Sequence, residues 1–281
     1  MKHILIPTDF SSNANHAISY ALNLFKCERA NFYFIHAYAD EVYGPFHNTG
    51  KIDFEDKKQA IGKSSKNELN QLVNEIKERT HNPKHHYEGI ISFESLVDAV
   101  NNFTNAKNID LLIMGTKGKT ANSSKTFGSN TVQVFKYVKC PVLAIPNGIP
   151  FNQPKNILFP SDYMLPYKRR ELKLLDTLAS QFKAQIHSLY ISDFEDLSLR
   201  QLDNKKFLED SLPNARLSFV RTAVENRTKA ILSYTKEYDM NLLVMVNSRH
   251  SLLEDMLYRS TIDEIGLSPT IPFLVMQNLP R

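Results

Sequence analysis

No apolar run in this chain approaches the roughly 18 residues that a membrane helix needs, and the opening MKHILIPTDF lacks the apolar core and cleavage site of a secretion signal. The expected location is the cytoplasm, with no membrane partner. Cysteine is scarce: Cys27 and Cys140 are the only two, which suits a reducing compartment, and both read as packing residues rather than a redox pair. The formal charge is only +4 over 281 residues, and lysines and arginines are interspersed with acids almost everywhere, which argues against a nucleic-acid partner. Signatures of common chemistry are missing too. There is no HExxH or clustered Cys/His spacing for a metal, no GxSxG elbow, no GxxxxGK(S/T) phosphate loop, and neither HxGH nor SGGxDS. His85 and His86 adjoin in a strand pattern, so they point to opposite faces and cannot easily chelate one ion.

One absence is local. No Asp or Glu occurs between Asp110 and Asp162. Residues 111–146 within that span read as an apolar strand, a loop, a helical pattern and a second apolar strand. The loop holds Gly115, Gly118 and the pair Gly128-Ser129, together with Lys117, Lys119 and Lys125. Glycine permits positive φ and close approach of backbone N–H groups, and a helix opening at Gly128-Ser129 offers unpaired N–H groups and a favourable dipole. A phosphate would meet no like charge here. A glycine pattern alone also fits a long surface loop.

What is abundant is a 42% hydrophobic content arranged in alternating strand and helix patterns, enough for one large domain or two of ordinary size. HILIPT is a short continuous apolar run of the kind buried on both faces, with Asp9 at its end, and Ser11 or Ser12 caps a helix that follows. A strand at 30–37, a loop at 38–53, a long helix at 54–80, a strand at 85–91 and a helix through Phe103 lead into the glycine loop. Five strands and four helices in 146 residues predict a parallel sheet covered on both faces. Residues 147–154 read as a linker. KNILFPSDYM then repeats KHILIPTDFS, and residues 242–277 repeat residues 111–146 in constant register, Leu242 answering Leu111 and Pro272 answering Pro141. In the second copy Val246 replaces Gly115, Arg249 replaces Gly118 and Arg259 replaces Gly128, while Ser260 is kept and Glu254, Asp255, Asp263 and Glu264 are gained. The expected organisation is a domain at 1–146 that carries the glycine loop and a degenerate copy at 155–281.

Asp9, the Gly115, Gly118, Gly128-Ser129 spacing and the closing CPVLAIP together resemble the universal stress protein family, in its ATP-binding branch. The resemblance implies two tandem α/β domains of the adenine-nucleotide alpha-hydrolase-like class, each a doubly wound five-stranded parallel sheet of order 3-2-1-4-5. Nucleotide would lie across the strand C-termini, at the switch point between strands one and four, as the general rule for open α/β sheets also requires. It implies ATP, with or without magnesium, as ligand. Asp9 and the His36-Ala37 strand end would lie by the adenine, and Gly115, Gly118, Gly128, Ser129 and Asn130 by ribose and phosphates. Asp9 is read as bonding base or ribose, with assistance to metal-bound phosphates as the alternative, and His36 as packing or hydrogen-bonding. Phe10 departs from the Gly or Leu often found after the Asp. The fifth strands, at 142–145 and 273–276, are expected to pair within the chain as a pseudo-dimer, and a homodimer is also compatible. The function so implied is a stress or regulatory binding module that signals ATP occupancy to a protein partner, not an enzyme. A nucleotide-free scaffold and a slow ATPase are the competing readings.

Overall fold

The computed structural model describes residues 1–44, 51–118, 127–223, 226–248, 251, 253 and 270–278, with side chains at 51–53 excepted. The chain divides into two compact units, one of residues 1–122 with 128–142, the other of residues 123–127 with 143–281.

The first repeat runs β1 (Lys2–Pro7), α1 (Ser12–Leu24), β2 (Ala30–Ala37), α2 (Ala39–Tyr43), α3 (Lys51–Thr80), β3 (His85–Ser92), α4 (Leu96–Lys107), β4 (Leu111–Gly115), α5 (Ser129–Tyr137) and β5 (Val142–Ile145). The strand order is β3-β2-β1-β4-β5, and the pairs of β1 with β2 and β4, and of β2 with β3, are parallel. This is the doubly wound α/β fold with order 3-2-1-4-5. The apolar runs place Ile4, Leu5, Ile6, Phe32, Phe34, Leu111, Leu112 and Ile113 in the interior, nearly all without exposed surface. Helices close both faces because each carries an apolar stripe. On α1 it is Ala14, Ala17, Ile18, Tyr20, Ala21, Leu22 and Leu24. On α3, Leu69 and Val73 press against Gly89 of β3, where a Cβ would come within 3.0 Å of Leu69 Cγ.

The loop expected at 38–53 contains the short helix α2, and α3 starts three residues earlier than its apolar pattern suggests. Cys140 packs as expected, its thiol pushed up to about 11 by burial. Cys27 does not: α1 ends before it, and it is exposed.

The second repeat runs β6 (Asn156–Pro160), α6 (Arg169–Phe182), β7 (Gln185–Ile191), α7 (Leu199–Asp210), β8 (Arg216–Thr222), α8 (Arg227–Glu237), β9 (Leu242–Asn247) and β10 (Phe273–Gln277). Its order, β10-β9-β6-β7-β8, is the same winding, again parallel at each pair. The registers correspond: Ile4 lies opposite Phe32 and Leu111, Ile157 opposite Ile186 and Leu242.

Candidate functional site

Strand β1 ends in a turn in which successive side chains hold the backbone. Buried Thr8 donates its N–H to Ile35 O at 2.9 Å, and its hydroxyl accepts the N–H of Phe10 at 3.0 Å. Asp9 Oδ1 accepts the N–H of Ser11 at 3.1 Å, and Ser11 Oγ caps α1 by accepting from Ala14 N at 3.2 Å. Between them Phe10 sits at φ 61°, a left-handed conformation that costs a residue with a Cβ about 1–2 kcal/mol. Its ring packs against that of His36 at a tilt of 41°, with centroids 4.7 Å apart. His36, the penultimate residue of β2, is buried, and its Nδ1 donates to the Thr8 carbonyl at 2.8 Å. The packing reading of His36 thus describes its side chain. Ala37 follows at the strand end, opposite Ser92 of β3.

The glycines serve close approach. Positive φ was one of the two reasons expected for them, and it does not apply: among the described glycines only Gly148 has it, and Gly128 has φ −66°. At Gly115 a Cβ would stand 3.1 Å from the Asn13 carbonyl oxygen, so the start of α1 rests directly on the end of β4. At Gly118 a Cβ would stand 3.0 Å from Asp9 Oδ2. The loop therefore runs over the carboxylate that the β1 turn presents. Gly128 N donates to Thr116 O at 2.9 Å, and the Thr131 hydroxyl donates to Thr116 O at 3.0 Å, tying the first turn of α5 to the end of β4.

Helix α5 begins with Gly128 as N-cap, so its cap residue has no side chain to accept from the first N–H groups, and its first turn carries no acid. The caps of α1, α4, α7 and α8 are instead Ser11, Ser95, Ser198 and Asn226, each filling that role. Ser129 and Asn130 are exposed. Asp9, Gly115, Gly118, Gly128, Ser129 and Asn130 thus gather at the ends of β1 and β4, with His36-Ala37 one strand away. Lys119 and Lys125 lie outside the described residues.

Two participants escape a motif search. Asn13 donates Nδ2 to the Lys117 carbonyl at 3.3 Å and leaves a buried Oδ1 without a partner. Thr8 is the hinge of the turn, and its signal was available in the paired T-D-F and S-D-Y of the two repeats.

The second repeat rebuilds the turn and sets larger side chains beside it. Tyr163 has φ 55°, its N–H donates to Ser161 Oγ at 2.9 Å, Met164 N donates to Asp162 Oδ1 at 2.9 Å, and its ring stacks on Tyr190. Four more residues precede the helix here than in the first repeat. Aligned on their buried faces, Ala17, Ile18, Tyr20, Ala21 and Leu24 of α1 match Glu171, Leu172, Leu174, Leu175 and Leu178 of α6, which sets Tyr167 at the position of Asn13. Tyr167 is buried and hydrogen-bonds Ser161, with its phenol pushed up by that burial. A cavity of about 10 Å³, room for one water, lies between Ser161, Asp162, Leu165, Tyr167, Val246 and Leu253. Val246 is one of the replacements seen in the sequence. Arg249, Glu254, Asp255, Arg259, Ser260, Asp263 and Glu264 lie outside the described residues.

The universal stress protein family model matches residues 1–146, slightly over half of the chain. The chain belongs to the universal stress protein family. A solved universal stress protein from Archaeoglobus fulgidus is similar along its length, 17% identical over 98% of this chain and 96% of that one, with TM-score 0.69. A functionally unknown protein from Pseudomonas aeruginosa is 14% identical over 99% and 92%, with TM-score 0.57. At these identities the likeness is one of fold. A universal stress protein solved in complex with cAMP is 16% identical over 54% of this chain and 98% of that one, with TM-score 0.36. No curated protein matches the chain.

Proposed function

We propose that this universal stress protein binds ATP in its first repeat and acts as a regulatory binding module rather than a catalyst. The carrying observation is the start of α5: a helix of nine residues whose N-cap is glycine, whose first turn has no acid, and whose cap N–H bonds Thr116 O, two residues before the Gly118 that lies against Asp9. Unpaired N–H groups with a favourable dipole suit phosphate. Asp9 is held by the Ser11 N–H so that its Oδ2 faces the loop, where it can accept from a ribose hydroxyl or a base amino group. The strand end at Ala37 offers backbone to the base, and Ser129 and Asn130 offer polar side chains to the phosphates. Occupancy signals to a protein partner only through a difference in affinity between two states of the protein.

Isothermal titration of ATP, after mass spectrometry has excluded co-purified nucleotide, tests the reading beside Gly118→Arg. A Cβ at that position already crowds Asp9 Oδ2 at 3.0 Å, so the variant loses binding while keeping its fold. No heat from the wild type overturns the proposal. Phosphate released over many turnovers would assign catalysis instead.

A further inference from the structure

The buried ring of His36 has one nitrogen accounted for and one that is not. Thr8 O can only accept, so Nδ1 carries a proton. Nε2 is buried and makes no aligned hydrogen bond, yet it lies 3.3 Å from Glu41 Oε1 on α2. If the ring is neutral, two acceptors face each other, a nitrogen lone pair and a carboxylate, with the nitrogen cut off from water. If the ring carries its second proton, the same contact is a charge-assisted attraction that holds α2 against the end of β2.

Among the described residues, the other surroundings of the ring do not supply a substitute charge. From β1 comes the Thr8 carbonyl, from the turn the Phe10 ring, and from β3 the neighbouring Ile91. The buried positions of α3 are Gly62, Ser65, Leu69, Val73 and Ile76, all uncharged, and its half-buried Lys58 lies over the Phe93 ring and pairs with Glu55 at 3.5 Å. Asp9 is held by Ser11 and faces Gly118, and Asp40 on α2 is exposed. Among the described residues, Glu41 is the ionisable group within ion-pair distance of His36.

We propose that His36 and Glu41 form a proton-operated latch that closes α2 over the base end of the nucleotide site and releases it when the ring loses its proton. The latch stands on the contact itself; its use as regulation of nucleotide binding rests on the ATP reading. Lower pH closes α2 and higher pH frees it.

The test is hydrogen exchange of residues 38–44 in the full chain at pH values of about 5.5 and 8, on either side of the ordinary histidine range, corrected for intrinsic exchange rates. Wild type is expected to lose protection at the higher pH by about two- to fivefold, the scale of an ion pair with one exposed partner. Glu41→Gln, whose amide donates to a neutral Nε2, is expected to stay protected at both. Equal protection at both pH values in wild type, or the same loss in Glu41→Gln, overturns the latch. ATP titrations at the two pH values test the coupling: affinity that changes with pH in wild type and is level in Glu41→Gln supports it, and affinity level in both overturns it. Absence of ATP binding at either pH refutes the ATP reading and the coupling, while the exchange result still decides the latch.

Discussion

Phe10 is held at positive φ by a hydroxyl two residues back and by a ring beneath it. Glycine adopts that conformation without penalty, whereas alanine keeps the penalty and loses the ring. Phe10→Ala is therefore expected to be less stable than Phe10→Gly by about 1 kcal/mol in urea unfolding. The usual preference for a larger side chain over glycine would give the opposite order. This turn was hidden in the sequence because an aromatic residue gives no warning of a left-handed backbone. Asp9 beside it was legible, since a carboxylate ending an apolar strand stands out. Glycine positions were legible as well, but the reason for them was only partly so: the crowding of Gly118 by Asp9 depends on two segments far apart in the chain.

Within α6, Glu171 occupies the place that Ala17 takes in α1. Its carboxyl is 5% exposed, has Lys168 Nζ at 3.8 Å and accepts the Lys168 N–H at 3.4 Å. Burial raises it to about 7 from 4.5, against the opposing pull of Lys168. The unfolded chain gives up this proton near 4.5 and the folded chain near 7. Stability from this group is thus fully present below 4.5, falls as pH rises to about 7, and is lost above it. Glu171→Gln keeps the shape and an acceptor. It is expected to flatten the pH profile over that window and to be more stable at pH 8 by on the order of 2 kcal/mol, read from the chemical unfolding midpoint. The helices were legible at this scale from apolar spacing, although α4 runs four residues past Phe103, where its apolar pattern ends. Helix α2 was not, because five residues carry too little periodicity to show.

At the scale of the whole molecule, the same winding is present twice, but the second repeat sets Tyr167 and Val246 where the first has Asn13 and Gly115. Val246 signalled the difference in the sequence. Tyr167 did not, because its place opposite β9 follows from an insertion whose alignment only the buried face of α6 reveals. Titration is expected to saturate at one ATP per chain, and a ligand at 100 times its dissociation constant to stabilise the binding unit by about 2.7 kcal/mol. Two per chain would show that the second repeat still admits nucleotide. The left-handed aromatic after the strand-end Asp is present in both repeats, as Phe10 and as Tyr163, each on a hydroxyl and each over a ring. Only one of the two stands beside the glycines at the end of β4 and the start of α5. A strained backbone next to a binding site invites explanation as an adaptation to ligand, but here the second copy, which has Val246 in place of Gly115, acts as an internal control. The strain is a property of how the strand hands over to the helix, and it would persist in a descendant that had lost its nucleotide altogether.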